Sequence, residues 1–255
     1  GGHQKVAIIA KGCDARSAVI MLAEHQALRE QVLILGVPCR GMLDLQKVAT
    51  RAELGELTAV QANGGEEVVL SLRDGERRLP RLELLAENCL TCQHNTPPVA
   101  DELLAEPAGS MPAAGTVPAT LEELERLSPQ ERRAYWRAQF ERCIRCYACR
   151  EACPSCYCPT CFVDKTAYRW VSKAATPDEN WMFHSIRTYH MVGRCTECGE
   201  CQRVCPMNIP LLTLQRIHNR EVADRFGYVA GMDPAVVPPM GTFSPDDRDP
   251  AEGHK

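Results

Sequence analysis

The sequence of 255 residues predicts two domains of different class: an α/β N-terminal domain with a small parallel or mixed sheet, then a mainly α-helical domain. Before residue 106, apolar runs of strand length alternate with helical patterns, which is typical of an α/β unit. Between 121 and 228, nearly every periodic segment has the helical period. The chain also contains 15 cysteines and shows no secretory signal, which favours thiolate–metal chemistry over disulfides.

The predicted first domain spans 1–105 and begins with a strand, a helix and a second strand. The strands are the apolar runs KVAIIA (5–10) and QVLIL (31–35), and Asp14 is expected to cap a helix over 15–29. A β-α-β start of this kind is usually parallel, with a right-handed connection. Further elements follow along the chain: a helix near 44–54 and strands at 67–74 (EVVLSLRD) and 81–85 (RLELL).

The predicted second domain spans 121–228 and contains three clear helices. A capping box, Ser128 with Glu131 and a proline at the first helical position, opens the first helix. The second covers 181–193 and stops at a glycine, and the third covers 210–227 and also stops at a glycine. This domain is therefore expected to pack helix on helix.

Two segments lack the periodicity of a helix or a strand. The stretch 106–120 is rich in proline and glycine, which predicts a linker between the domains. The stretch 229–255 contains many prolines and is expected to be an extended arm, either disordered or laid over a partner.

Composition disfavours several classes of protein. The net charge is −4, whereas a nucleic-acid binder needs a basic face to displace counterions from phosphates. The apolar runs are shorter than the roughly 18 residues of a membrane span. Together with the lack of a signal peptide, this predicts a cytoplasmic protein that binds neither nucleic acid nor a membrane.

The strongest motif in the sequence is C-x₂-C-x₂-C-x₃-C-P, which occurs twice. The first copy ends at Pro154 and the second at Pro206. In two-cluster ferredoxins three closely spaced thiolates bind one [4Fe–4S] cubane, and the fourth cysteine completes the other. The predicted ligands of cluster one are Cys143, Cys146, Cys149 and Cys205. Those of cluster two are Cys195, Cys198, Cys201 and Cys153. Zinc is the alternative, but zinc sites usually use two C-x₂-C pairs.

The charges beside the two copies differ. Arg142, Arg145 and Arg150 surround the first copy, whereas Glu197 and Glu200, with only Arg203, surround the second. Positive charge favours the reduced, more anionic cluster, so cluster one is expected to have the higher potential. Salt would make this difference small if the charges are exposed.

The first domain holds four further cysteines: Cys13, Cys39, Cys89 and Cys92. Turns after strands can bring such residues to one edge of a sheet, so they could bind a third [4Fe–4S] cluster. Alternatively, Cys13 and Cys39 are core thiols, and the C-x₂-C pair is a zinc half-site or a redox dithiol.

The runs AKGCDARSAVIMLAEHQ, ILGVPCRG and ENCLTCQHNTP resemble the C-terminal domain of the β subunit of deazaflavin-coenzyme-reducing hydrogenases and dehydrogenases. That family has a GxPC element and a later C-x₂-C pair around an iron–sulfur cluster, with FAD nearby. The resemblance implies that Cys39, Cys89 and Cys92 are ligands of this cluster, and we choose Cys13 as the fourth ligand. The sequence has no G-x-G-x-x-G fingerprint for the flavin.

The helical domain is similar to the dicluster ferredoxin domains of succinate dehydrogenases and of the C subunit of heterodisulfide reductases. The long segment between its two motifs carries this resemblance. The whole chain, over 5–228, thus resembles a fusion of the two families. Such proteins are similar to electron-transfer partners of formate dehydrogenases, hydrogenases and heterodisulfide-reductase-like complexes.

Three cysteines remain, in the run PSCYCPTCF: Cys156, Cys158 and Cys161. They could bind a further metal centre with a fourth ligand from His184, His190 or a partner chain. They could equally be packed thiols, or one of them could replace a neighbouring cluster ligand.

These observations favour an iron–sulfur electron-transfer subunit of a multi-subunit oxidoreductase complex of anaerobic metabolism. It would relay single electrons between a flavin site and a partner resembling formate dehydrogenase, hydrogenase or heterodisulfide reductase, with no catalytic residues of its own. The alternative is a flavoenzyme subunit that oxidises or reduces a deazaflavin, ferredoxin or nicotinamide coenzyme. A nucleic-acid or sensor protein is disfavoured by the charge and by the dicluster spacing.

Overall fold

The computed structural model describes residues 5–52, 56–62, 65–165 and 167–243. The last part of the predicted C-terminal arm, 244–255, lies outside the described residues. Over the described residues, no helix combines the length and the apolar character needed to cross a membrane. The described chain has an α/β part followed by a helical part, which confirms the predicted fold class.

The first sheet is parallel and is built from the two predicted apolar runs. Strand β1 (Val6–Ala10) pairs with β2 (Val32–Gly36), and β2 also pairs with the short β6 (Glu102–Leu103). Helix α1 (Gly12–Ala23) connects β1 to β2. The prediction for this helix was wrong at both ends, because it begins earlier and ends earlier than 15–29. Lys11 is its N-cap, and Asp14 lies in the first turn, where it pairs with the Lys11 ammonium at 2.6 Å.

The second sheet is an antiparallel three-stranded meander. After α2 (Leu45–Ala52), β3 (Leu57–Gln61), β4 (Glu67–Leu72) and β5 (Gly75–Pro80) pair in chain order. Only β4 alternates fully buried side chains with less buried ones. The polar strand β5 has almost no buried side chain, which is why hydrophobic periodicity did not predict it.

The predicted strand at 81–85 is wrong. Its first four residues form the short helix α3 (Arg81–Leu84), and α4 (Glu87–Leu90) follows at once. Leu84 and Leu85 are both fully buried, so their neighbouring positions do not alternate between faces as they would in a strand. The antiparallel sheet ends with β5, the strand that precedes this segment.

The helical part consists of six helices among the described residues, three long and three short. In chain order they are α5 (Ala119–Arg126), α6 (Pro129–Glu141), α7 (Ala148–Glu151), α8 (Pro177–Met191), α9 (Glu200–Arg203) and α10 (Leu211–Phe226). The predicted capping box is present: the Ser128 hydroxyl accepts from the Glu131 amide, and the Glu131 carboxylate accepts from the Ser128 amide. Gly193 and Gly227 adopt left-handed backbone conformations after α8 and α10, as predicted for helix ends.

Helix α8 runs through the centre of this part and packs against α6 and α10. Its buried face contains polar as well as apolar residues, and the apolar core around it includes Trp136, Phe140, Phe183 and Ile209. The core is rich in aromatic side chains, with Phe140 stacked on Trp136 at a centroid distance of 5.7 Å. One cysteine of each motif, Cys149 and Cys201, belongs to this core.

The segments predicted as linker and arm both pack onto the folded chain. Within 106–120, the amides of Ala113 and Gly115 donate to backbone carbonyls next to α4, at 3.2 Å each. In the C-terminal segment, the Ala230 carbonyl accepts from Arg16 Nε at 2.9 Å. Both segments therefore join the α/β part to the helical part.

The approach of the C-terminal segment to α1 predicts a stability difference between two glycines. Both have positive φ, but a Cβ on Gly231 would lie 2.2 Å from the Arg16 carbonyl oxygen, whereas a Cβ on Gly227 would meet nothing within 4 Å. Gly231→Ala should therefore lower the free energy of unfolding by about 1–3 kcal/mol more than Gly227→Ala does. Anaerobic denaturant unfolding of the two variants measures this difference, and equal losses would contradict the close approach.

Candidate metal centres

The cysteines of the first motif line a small cavity that is partly open to solvent. Cys143, Cys146 and Cys149 line it from one side, and Cys205 reaches it from the end of the second motif. The cysteine between Cys149 and Pro154, Cys153, does not line this cavity. The four thiols are those predicted for cluster one, and they come from segments that lie far apart in the sequence.

The cysteines of the second motif line a second small cavity in the same way. Cys195, Cys198 and Cys201 line it, and the fourth thiol is that of Cys153 from the first motif. The thiol of Cys153 also contacts the Met191 sulfur at 3.7 Å. The crossed arrangement that the motif predicts is therefore reproduced in the geometry of both cavities, while the ligand assignment itself stays a prediction.

Both motif loops use left-handed backbone conformations at equivalent positions. The second residue after the first cysteine is Arg145 (φ 57°) in one loop and Glu197 (φ 58°) in the other. The fourth is Tyr147 (φ 61°) or Gly199 (φ 77°). Such conformations are costly for residues other than glycine and cluster at functional sites. Here they wrap the loop around its cavity, with the three thiols lining the wall.

The donor set fits [4Fe–4S] clusters. Among the described residues, no three His, Cys, Asp or Glu side chains are arranged to hold one metal ion. A cubane binds its four thiolates at four different irons, so its ligands surround a larger space than zinc ligands do. Four thiols line each cavity, which is the number that a cubane requires, and no His, Asp or Glu side chain lines the cavity of Cys153 and Cys195.

The buried face of α8 presents polar side chains to both cavities. His184, 2% exposed, places Nε2 3.3 Å from Cys143 Sγ and stacks on Phe140. Burial, with Arg187 and Arg145 nearby, lowers the pKa of His184 to about 3, so the imidazole is neutral. Asn180 is fully buried and donates to the carbonyl of Cys143 at 2.8 Å.

Arg187 is a buried cation that sequence reasoning missed. It is 4% exposed, lines the cavity of the second motif, and donates from Nη2 to the Cys149 carbonyl at 2.9 Å. Burial alone would lower its pKa, but the neighbouring thiolates, with Cys149 and Cys201 the largest, raise it overall. The signal in the sequence was the spacing of polar residues on one face of α8, at 180, 184 and 187.

The charges noted beside the motifs are largely compensated. Glu197 pairs with Arg216 at 2.8 Å, and Glu200 pairs with Arg203. Near the first motif, Arg150 pairs with Glu151 and Asp164, each at 2.6 Å. Because the two charges of each ion pair offset one another, the formal charges near each motif give a poor measure of the electrostatic potential at its cavity.

Arg145, beside the first motif, is buried without a carboxylate partner. Its guanidinium donates to the backbone carbonyls of Glu179 and Ser172, each at 2.8 Å, and to the Tyr147 hydroxyl at 3.1 Å. The predicted order of the two potentials stays a prediction.

The four cysteines of the first domain line one larger cavity of about 290 Å³, namely Cys13, Cys39, Cys89 and Cys92. Cys13 lies in the first turn of α1, and Cys39 follows β2, so both come from the carboxyl ends of parallel strands. Backbone amides donate to two of the thiols: Gly41 to Cys39 and Met42 to Cys89, both at 3.3 Å. Burial raises the pKa of Cys13 to about 12, so metal binding would have to displace its proton.

Helix α1 approaches the Cys92 segment very closely. A Cβ on Gly12 would lie 1.8 Å from the His94 carbonyl oxygen, so only glycine fits beside Cys13. The cavity also borders the second motif, because Thr196, Glu197 and Cys198 line it. The α/β part and the helical part therefore share this cavity.

The remaining three cysteines line a different, open cavity together with His190. Cys156, Cys158 and Cys161 are all there, with the Arg150 and Arg194 side chains. His184 is not among its lining residues, since it contacts Cys143 in the first cavity. The Cys156 thiol shares a hydrogen bond with Cys153. The three alternatives for these cysteines, a further centre, packed thiols or the replacement of a neighbouring cluster ligand, stay predictions.

Two copies of one cysteine motif, each lining a small cavity, define an iron–sulfur protein that transfers electrons. The family model of the 4Fe-4S dicluster domain matches residues 139–209, which contain both motifs.

Similar full-length proteins extend this result. The chain is 23% identical to the F420-dependent formate dehydrogenase subunit beta of Methanocaldococcus jannaschii over 290 residues, covering 92% of this chain and 76% of the relative. It is also 23% identical to the F420-dependent formate dehydrogenase 1 subunit beta of Methanococcus maripaludis over 300 residues, with 94% and 76% covered. These comparisons confirm the predicted class, an iron–sulfur electron-transfer subunit of an oxidoreductase complex.

The crossed cavities predict which cluster each proline-linked cysteine supports. Cys205→Ala should perturb the electron paramagnetic resonance (EPR) signal of the cluster in the first cavity, and Cys153→Ala the signal of the other. Cys146→Ala and Cys198→Ala, whose thiols lie in the middle of the two motifs, identify the signals. If Cys205→Ala instead changes the same signal as Cys198→Ala, the crossed assignment is wrong.

Proposed function

We propose that the chain holds three [4Fe–4S] clusters and relays electrons inside a formate-dehydrogenase-like complex. The ligand sets are the three groups of four cysteines that line the three cavities described above. When bound, each cluster takes up and releases one electron at a time. The chain's own contribution is to hold these groups next to one another and to shield them from water.

The observation that carries this proposal is the shared wall between two cavities. Cys198 lines the cavity of the second motif and also the cavity of the four N-terminal cysteines. Asn88, next to Cys89, donates to the carbonyls of Glu197 and Cys198 at 3.2 and 3.3 Å. The third group of cysteines therefore lies directly beside the second motif, as an electron relay requires.

The same contacts give an order for the three groups. The second motif lies in the middle, because it borders the N-terminal cavity on one side and meets Arg187, bonded to the Cys149 carbonyl, on the other. The first motif is at one end, where Cys146 is exposed and Ile144 is 56% exposed. We propose this exposed loop as one exchange point with a partner, and the N-terminal cavity as the other.

The partners we propose are a formate-oxidising subunit, by analogy with the names of the two relatives, and a flavin-bearing subunit, which the sequence predicts. Hydrogenase-like or heterodisulfide-reductase-like partners, and the fusion of two families inferred from the sequence, also remain proposals. The cytoplasmic location stays a prediction. Because the relatives depend on F420, a second candidate is that the first domain itself binds FAD and exchanges electrons with a deazaflavin.

Iron content tests the number of clusters. At four irons per cubane, three clusters give about twelve irons per chain, and two give about eight. Cys39→Ser and Cys89→Ser should each lower the iron content by about four in the full-length chain. Cys158→Ser is the control, because its thiol is exposed and lies in none of the three groups. It should leave the iron content unchanged, and a loss of iron there would instead indicate a further centre at Cys156, Cys158 and Cys161. About eight irons in the unaltered chain, unchanged by Cys39→Ser, would leave a two-cluster relay.

Turnover by the isolated chain separates the two candidate functions. A relay subunit should bind no flavin on anaerobic purification and should transfer no hydride between F420, nicotinamide and formate when alone. The complex purified with its partners should oxidise formate. Bound FAD together with steady F420 turnover by the isolated chain would favour the flavoenzyme and remove the relay as the main function.

A further inference from the structure

Helix α8 separates the two cysteine cavities, and two of its buried side chains contact one cavity each. His184 and Arg187 are three residues apart, so they project from the same face of the helix. His184 points to Cys143 in the first cavity, and Arg187 lines the second cavity while bonding to the backbone of Cys149 in the first. No other helix among the described residues contributes a buried cation to both motifs in this way.

The surroundings of Arg187 indicate a role in the charge balance. Its guanidinium carries a permanent positive charge, yet it donates to a backbone carbonyl rather than to a carboxylate, and its buried Nε has no hydrogen-bond partner among the described residues. A buried charge without a carboxylate partner is expensive. Anionic cysteine thiolates around the neighbouring cavities would compensate this charge.

His184 is held rigidly for a hydrogen bond to sulfur. Its ring stacks on Phe140 with centroids 4.5 Å apart and meets the edge of Phe183 at 4.9 Å. These contacts fix the plane of the imidazole, and Nε2 lies 3.3 Å from Cys143 Sγ. Hydrogen bonds to cluster sulfurs and nearby positive charge are two of the factors that set cluster potentials.

We propose that α8 sets the reduction potentials of the two clusters, with His184 acting on cluster one and Arg187 acting on both. Reduction adds one electron and no proton to a cluster, so a hydrogen-bond donor or cation beside its thiolates stabilises the reduced form. Both residues are positioning residues, since neither is itself a ligand. This inference rests on the proposed function, because it requires a cluster in each motif.

The test for Arg187 compares two substitutions in the full-length chain. Arg187→Lys keeps the charge, whereas Arg187→Gln removes it but keeps a donor for the Cys149 carbonyl. EPR-monitored redox titration should show that Arg187→Gln lowers the reduction potentials of both clusters. At a given solution potential, the ratio of reduced to oxidised cluster should fall about tenfold, which corresponds to about 59 mV for one electron. Arg187→Lys should stay close to the unaltered chain. Equal shifts in the two variants, or loss of iron in both, would reduce Arg187 to a structural role and overturn the proposal.

The test for His184 uses the same logic. His184→Phe keeps the stacking on Phe140 but removes the donor, and His184→Gln restores a donor near Cys143. His184→Phe should lower the potential of cluster one alone, and His184→Gln should reverse most of that shift. Unchanged potentials with full iron content in His184→Phe would contradict the role of the hydrogen bond.

A matched control separates buried from exposed charge. Arg142 is an exposed arginine beside the first motif, and its guanidinium bonds to Gln139 and to the Asn208 carbonyl. Arg142→Gln should change the ratio of reduced to oxidised cluster by less than about twofold, because exposed charges are screened. If the unaltered chain holds no iron in the two motifs, the proposed function is wrong. The iron content is measured separately from the potentials, so failure of the proposed function can be told apart from failure of this inference.

Discussion

In the helical part, each cysteine motif contributes its last cysteine to the cavity of the other motif. Cys205 lies in the cavity of the first motif and Cys153 in the cavity of the second. Each cavity is therefore closed by the opposite segment, and α8 is enclosed between them. Bound clusters would cross-link segments that are distant in sequence, which stabilises the native state relative to the unfolded chain. The residues with left-handed backbone conformations in both loops cost conformational energy, and such cross-links can offset that cost.

The α/β part is attached to this framework mainly by buried polar contacts. Arg16 donates to the carbonyls of Ala230 and Thr196, at 2.9 and 3.3 Å, and Arg216 donates to the Thr91 hydroxyl while pairing with Glu197. Buried hydrogen bonds require correct geometry, because an unpaired buried polar group is costly. The interface therefore fixes the N-terminal cysteines beside the second motif, which is the arrangement on which the proposed relay depends.

Local sequence patterns predicted the elements whose cause is local. The apolar strands β1 and β2, the capping box at Ser128 and the glycine after α8 follow from side-chain periodicity and backbone preference within a few residues. The prediction failed where tertiary contacts decided the conformation. The segment 81–85 has strand-like composition but buries two adjacent leucines. The strand β5 is polar and buries no side chain, whereas its partner β4 supplies the buried residues.

The sequence by itself determined the chemistry of the sites, since two C-x₂-C-x₂-C-x₃-C-P motifs have a ligand spacing that few other structures require. The tertiary structure alone decided what surrounds the cysteines. Only folding brings Cys13, Cys39, Cys89 and Cys92 to one cavity, and only folding places His184 and Arg187 between the two motifs. These contacts join residues far apart in the chain, and their formation depends on helix packing and burial, which no short-range pattern records.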